Sequence, residues 1–140
     1  MRGLTTHVLD AVKGGPALGE QGHGGEGAGR LVLEEDGAVA LPPHLSFEEG
    51  ATLPCAGVTA WHALVEIGET RAGDLVLVQG SGGVSIFALQ FARLMGARVV
   101  ATSGSSTKAE RLMALGAETV IDYRAVPDWD QAVQSYTGGR

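Results

Sequence analysis

Leu75-Val-Leu-Val-Gln-Gly-Ser-Gly-Gly-Val-Ser85 sets an unbroken apolar run against a glycine turn, and the apolar stretch Val84–Met95 follows at once. A short apolar run without polar alternation is the pattern of a strand buried on both faces. Val84–Met95 is apolar nearly all round, apart from Gln90 and Arg93, which is the pattern of a buried helix. The turn between them has the spacing Gly80-x-Gly82-x-x-Ser85. A first glycine permits a tight turn, and a second, lacking Cβ, lets backbone approach a pyrophosphate. The helix behind it aims free N–H groups and partial positive charge at the same place. Ser85 stands where the full fingerprint has a third glycine, and serine is small enough to keep helix and strand close. Gly80, Ser81, Gly82, Gly83 and Val84 are therefore candidate cofactor-binding residues.

Beyond this stretch the pattern repeats. Gly96 stops the helix, Val99–Ala101 reads as a second buried strand, and Thr107–Leu115 as an amphipathic helix with Ala109, Leu112, Met113 and Leu115 on one side. Gly116 stops that helix, Thr119–Ile121 reads as a third strand, and Asp130–Tyr136 as a short helix. Strand–helix–strand–helix–strand with short loops predicts a parallel sheet with right-handed crossovers. The fold class is α/β, a partial Rossmann fold of about three strands with crossover helices.

Before the loop, Arg71-Ala-Gly-Asp74 is turn chemistry. Ser46-Phe-Glu-Glu49 has the spacing of a capping box, so a helix should start there, break near Pro54, resume over Ala56–Ile67 and stop at Gly68. Leu31–Leu33 and Val39–Leu41 read as extended pieces around an acidic turn. Residues 31–140 thus form one α/β domain with a hinge helix in front. Residues 1–30 are an N-terminal segment: a strand within Leu4–Asp10, then a glycine-rich tail. Eight glycines lie between Ala11 and Arg30 of the 22 in the chain, with no apolar periodicity to offset their ordering entropy.

Composition narrows the function. Ten Lys and Arg against sixteen Asp and Glu give a net charge of −6 over 140 residues, which argues against a nucleic-acid or anionic-membrane surface. The sequence has no apolar run long enough to span a membrane and no apolar stretch of a signal peptide at its start, so a cytoplasmic protein is expected. One cysteine, Cys55, makes neither an internal disulfide nor, alone, a metal site. His7, His23, His44 and His62 lack ligand spacing, so no zinc is expected and Cys55 reads as a small buried residue. An NAD site usually carries an acid about 20 residues past the glycine loop. Here that window, Val100-Ala-Thr-Ser-Gly104, holds none, and Ser103, Ser105, Ser106 and Lys108 offer hydroxyls and a cation suited to a ribose 2′-phosphate. NADP(H) is the cofactor expected.

These residues also carry a resemblance. Leu45-Ser-Phe-Glu-Glu-Gly-Ala-Thr-Leu-Pro-Cys-Ala-Gly-Val-Thr-Ala-Trp61, Gly73–Ser85, Gly96–Ser103, Leu115–Tyr123 and Thr137-Gly-Gly-Arg140 resemble the medium-chain dehydrogenase/reductase superfamily, in its zinc-type alcohol dehydrogenase and quinone oxidoreductase group. The resemblance implies hydride transfer between NAD(P)H and an alcohol, aldehyde, ketone or activated alkene as small-molecule substrate. It places Thr59 near the nicotinamide, and Ser103, Lys108 and Tyr123 around the 2′-phosphate. Zinc-dependent members carry a ligand at the position of Cys55. Their catalytic domain and fourth Rossmann strand have no counterpart here, so the chain reads as a cofactor-domain fragment with little or no activity alone. The first strand, lacking that neighbour, is expected to pair with a second copy. The alternative is a nucleotide-binding module without turnover. The opening Thr5-Thr-His-Val-Leu-Asp10, through Gly15-Pro-Ala17, separately resembles the transthyretin-like 5-hydroxyisourate hydrolases and would make His7 an active-site residue; that family's later motifs are not matched.

Overall fold

The computed structural model describes residues 4–6, 31–33 and 39–138. Most of the N-terminal segment, including His7, His23 and the boundary at residue 30, lies outside the described residues. The chain divides into two compact units, Met1–Pro54 and Cys55–Arg140.

In the first unit, β1 (Leu4–Thr6) pairs antiparallel with β2 (Leu31–Leu33), Leu4 opposite Leu33. Val39–Leu41 forms no strand. Helix α1 (Phe47–Thr52) starts on the expected capping box: Ser46 Oγ accepts the Glu49 N–H at 3.2 Å and Glu49 Oε2 accepts the Ser46 N–H at 2.8 Å. Pro54 has no N–H to continue the α ladder, and the backbone widens into a π-helical turn, Leu53–Gly57.

In the second unit, α2 (Val58–Trp61) runs into another π-helical stretch, His62–Ile67, which the sequence did not announce. The stop is made differently from expectation. Gly68 keeps a right-handed backbone, and Glu69 takes the positive φ of 44°. Gly68 is needed for room instead: a Cβ there would lie 2.9 Å from the Ala63 carbonyl oxygen.

Three parallel strands follow, β3 (Leu75–Gln79), β4 (Arg98–Ser103) and β5 (Thr119–Asp122), in the order β3-β4-β5. Leu75 lies opposite Arg98, and Val100 opposite Thr119. Between them run α3 (Gly83–Leu94) and α4 (Ser106–Ala114), and α5 (Trp129–Thr137) comes last. Helices α3 and α4 end in Schellman motifs. Ala97 N–H reaches the Ala92 carbonyl and Ala117 N–H that of Leu112, with Gly96 and Gly116 left-handed.

The core gathers Leu64, Val78, Leu89, Ala92, Val99, Ala101 and Leu112. Strand β4, central among the three, is the strand buried on both faces: Val99, Val100 and Ala101 are fully buried. This corrects the reading of β3. Val78 is buried, but Leu77 is 38% exposed, because β3 is an edge and its second face fronts an open groove of about 530 Å³ shared with Val133 and Tyr136. Helix α3 is likewise not enclosed. It buries Leu89 and Ala92 and leaves Leu94 80% exposed. No described helix is long and apolar enough to cross a membrane.

Candidate cofactor site

Strand β3 delivers the chain to the glycine loop, and three contacts hold that loop in place. Gly80 turns the backbone at φ 78°, a left-handed conformation that a side chain would strain. Its N–H bonds across to β4, to the Thr102 carbonyl at 3.1 Å and the Thr102 Oγ1 at 3.2 Å. Ser85 Oγ donates to the Gln79 carbonyl at 2.9 Å, tying the first turn of α3 to the end of β3. The serine in the third fingerprint position therefore does more than stay small.

Gly82 is the N-cap of α3 and gives no side-chain cap, so first-turn N–H groups of the helix remain for a ligand. A Cβ on Gly80 or Gly82 would meet nothing within 4 Å, and one on Gly83 would meet only the Ala56 Cβ at 3.4 Å. The loop is thus a cradle open on the side where a phosphate would enter. A pyrophosphate fits it by this geometry.

The facing wall comes from the C-terminal ends of β4 and β5, which parallel pairing brings level, Ser103 opposite Asp122. Together they close a cleft of about 300 Å³ lined by Gly80, Ser81, Gly82, Ser103, Gly104, Ser105, Lys108, Tyr123 and Arg124. Val84 and Gly83, the other loop candidates, sit in the first turn of α3 beyond this lining. Among the described residues no acid lines the cleft. Lys108 enters from the first turn of α4, whose N-cap Ser105 also gives no side-chain cap. The Tyr123 ring crosses Gly104 closely enough that a Cβ there would lie 2.6 Å from its Cζ and Oη.

Ser103 lines the cleft and is itself buried. Its hydroxyl donates to the Ser105 carbonyl at 3.1 Å while accepting the Ser105 N–H at 3.3 Å, which shapes the turn at this wall. Thr59 is exposed on α2 and does not line the cleft. Cys55 is exposed, which corrects its reading as a buried apolar residue; the π-helical turn around it leaves only Gly57 inside. Trp61 packs edge-on to Phe91, centroids 5.5 Å apart, and so is a packing residue. Among the described residues no three His, Cys, Asp or Glu side chains gather, so they do not fit a zinc ion. Sequence reasoning missed Thr102 and Arg124. Thr102 becomes legible only once β3 and β4 are known to be neighbours, and Arg124 only once the ends of β4 and β5 are known to align.

The sequence profile of the family described as zinc-binding dehydrogenase matches residues 83–140. A zinc-type alcohol dehydrogenase-like protein of Schizosaccharomyces pombe is 48% identical over 110 residues, 77% of this chain and 32% of that protein. Over these residues the chain is similar to the medium-chain dehydrogenase/reductase superfamily. Solved structures of the superfamily agree in fold. An NAD-dependent alcohol dehydrogenase superposes with TM-score 0.72 at 45% identity, over 79% of this chain and 32% of its own. The Escherichia coli quinone oxidoreductase complexed with NADPH superposes with TM-score 0.65 at 32% identity, over 72% of this chain and 31% of its own. The chain thus spans about a third of the length of these superfamily members. None of these three supports the hydrolase resemblance of the N-terminal residues, and His7 lies outside the described residues.

Proposed function

We propose that the chain binds NADP(H) as the cofactor-binding part of an oxidoreductase that acts on an alcohol, a carbonyl or an activated alkene. The observation that carries this reading is the cleft itself: a glycine cradle at one wall, Lys108 at the other, and no acid in its lining. An acid would accept a ribose 2′-hydroxyl and repel a 2′-phosphate; its absence beside a cation favours the phosphate. The NAD-dependent and NADPH-complexed relatives support a nicotinamide cofactor and differ in which one they name.

When bound, the nicotinamide supplies or accepts the hydride. The residues of this chain bind and orient. The N–H groups of the Gly82–Ser85 turn hold the pyrophosphate, Lys108 meets the 2′-phosphate, and Tyr123 walls the ribose side. Titrating NADPH and NADH against the protein tests this. NADPH should bind more tightly, and Lys108→Ala should remove one charge-assisted contact of roughly 1.5–3 kcal/mol, about ten- to a hundredfold in affinity. Equal affinities in the wild type would sink the NADP reading.

A nucleotide-binding module without turnover is the second reading. It is favoured by the cleft lining, which among the described residues offers phosphate-binding groups and no histidine, carboxylate or thiol. Following NADPH absorbance with a quinone, an enal or an aldehyde separates the two: an oxidoreductase consumes NADPH, and a module binds it and consumes nothing.

A further inference from the structure

We propose that Arg124 is a second discriminating cation of this cleft, gripping the ribose phosphate from the β5 side while Lys108 meets it from α4. The proposal rests on the NADP(H) reading above and adds to it a residue that composition and spacing did not single out.

Lys108 sits in the first turn of α4, and Arg124 in the turn that follows β5, yet both line the same cleft. Among the described residues neither side chain has an ion-pair partner, whereas Arg71 and Arg98 pair with Glu69 and Glu118. The chain carries a net charge of −6, so unpaired cations converging on an acid-free cleft run against its average. Two like charges there repel each other, and a bound dianion relieves that repulsion.

Arg124 is also held at its base. Its N–H donates to Asp122 Oδ1 at 2.9 Å, and the Asp122 carbonyl accepts the N–H groups of Ala125 at 3.1 Å and Val126 at 2.8 Å. The Asp122 carboxylate is thereby engaged with backbone and does not line the cleft. The side chain of Arg124 thus starts from a fixed turn beside the cleft. Its planar fork suits two phosphate oxygens at once, which the single point charge of Lys108 does not. A ribose 2′-hydroxyl offers no such pair of acceptors, so the contact should separate phosphorylated from unphosphorylated cofactor.

The test measures dissociation constants of NADPH and NADH for wild type, Arg124→Ala, Arg124→Gln, Lys108→Ala and the double variant Lys108→Ala/Arg124→Ala. Melting curves check that each is folded. The expected result is a loss of about tenfold or more in NADPH affinity for both Arg124 variants, with NADH affinity within about twofold of wild type. The double variant should lose less than the product of the single losses, because the two cations share one phosphate. Equal losses for NADPH and NADH would overturn the proposal, since a general attraction to the pyrophosphate would explain them. An unchanged NADPH-to-NADH ratio in both Arg124 variants, with Lys108→Ala still reducing it, would overturn the proposal and leave the NADP reading standing. A wild type that prefers neither cofactor would overturn both.

Discussion

Gly80 and Gly82 are two residues apart in one loop, yet they are glycine for different reasons. At Gly80 the backbone is left-handed, φ 78°, and a Cβ would meet nothing. Gly80→Ala should therefore lower stability by about 1–2 kcal/mol through backbone strain alone, read as a shift in the urea midpoint. At Gly82 the backbone is ordinary, φ −75°, and the Cβ again meets nothing in the free protein. Gly82→Ala should cost under about 1 kcal/mol of stability as an N-cap change, yet weaken NADPH binding because its methyl fills the cradle. A Gly82→Ala protein that binds NADPH like wild type would remove the pyrophosphate from this loop. At Cys55, exposed and without neighbouring ligands among the described residues, elemental analysis after dialysis should find far less than one zinc per chain. The glycine spacing made the cradle legible, since its chemistry depends on residues adjacent in sequence. Arg124 and Thr102 were not legible, because their roles depend on which strand ends lie side by side.

Helix α5 is fastened to the sheet by a cluster of three side chains. Arg98 donates to both Glu118 carboxylate oxygens at 2.9–3.0 Å, and the Tyr136 hydroxyl donates to Glu118 Oε2 at 3.0 Å. The Arg98 hydrogen bonds, and after them that of Tyr136, hold the Glu118 carboxyl below its ordinary range, against a smaller opposing effect of desolvation. A carboxyl depressed in the folded state stabilises it above its unfolded pKa, and that contribution is lost as pH falls through the folded value. Arg98 is raised by the same contacts, so its share is lost only in strong alkali. The fastening is acid-sensitive. Tyr136→Phe should raise the Glu118 titration midpoint, followed by carboxyl NMR, and move the acid loosening of α5 to higher pH. An unmoved midpoint would show that the tyrosine hydrogen bond is absent in solution. At this scale most elements were legible: β3, β4, β5 and the helices between them lie where apolar runs and glycine stops put them. The π-helical stretch His62–Ile67 was not, because its residues fit an α pattern equally well. The one-sided burial of β3 was also hidden, since an apolar run does not say which strand has neighbours on both sides.

At the scale of the whole molecule, β3 is the feature with a consequence for assembly. Among the described residues it pairs with β4 alone, and its other edge carries unpaired backbone groups beside the groove that Leu77 and Val133 line. An open apolar edge invites strand addition. The chain is expected to self-associate there, giving a dimer or larger species in light scattering, and Leu77→Lys should shift it toward monomer. A sharp wild-type monomer would dismiss the idea. The sheet has another consequence, one of order in time. Each strand of it pairs with the next strand along the chain, Leu75 with Arg98 and Val100 with Thr119. Every pairing thus closes a loop of only about 20 residues, a small entropic cost for a parallel sheet. On the ribosome, β3 and β4 can zip together before β5 has been synthesised, and β5 then finds its template already laid down.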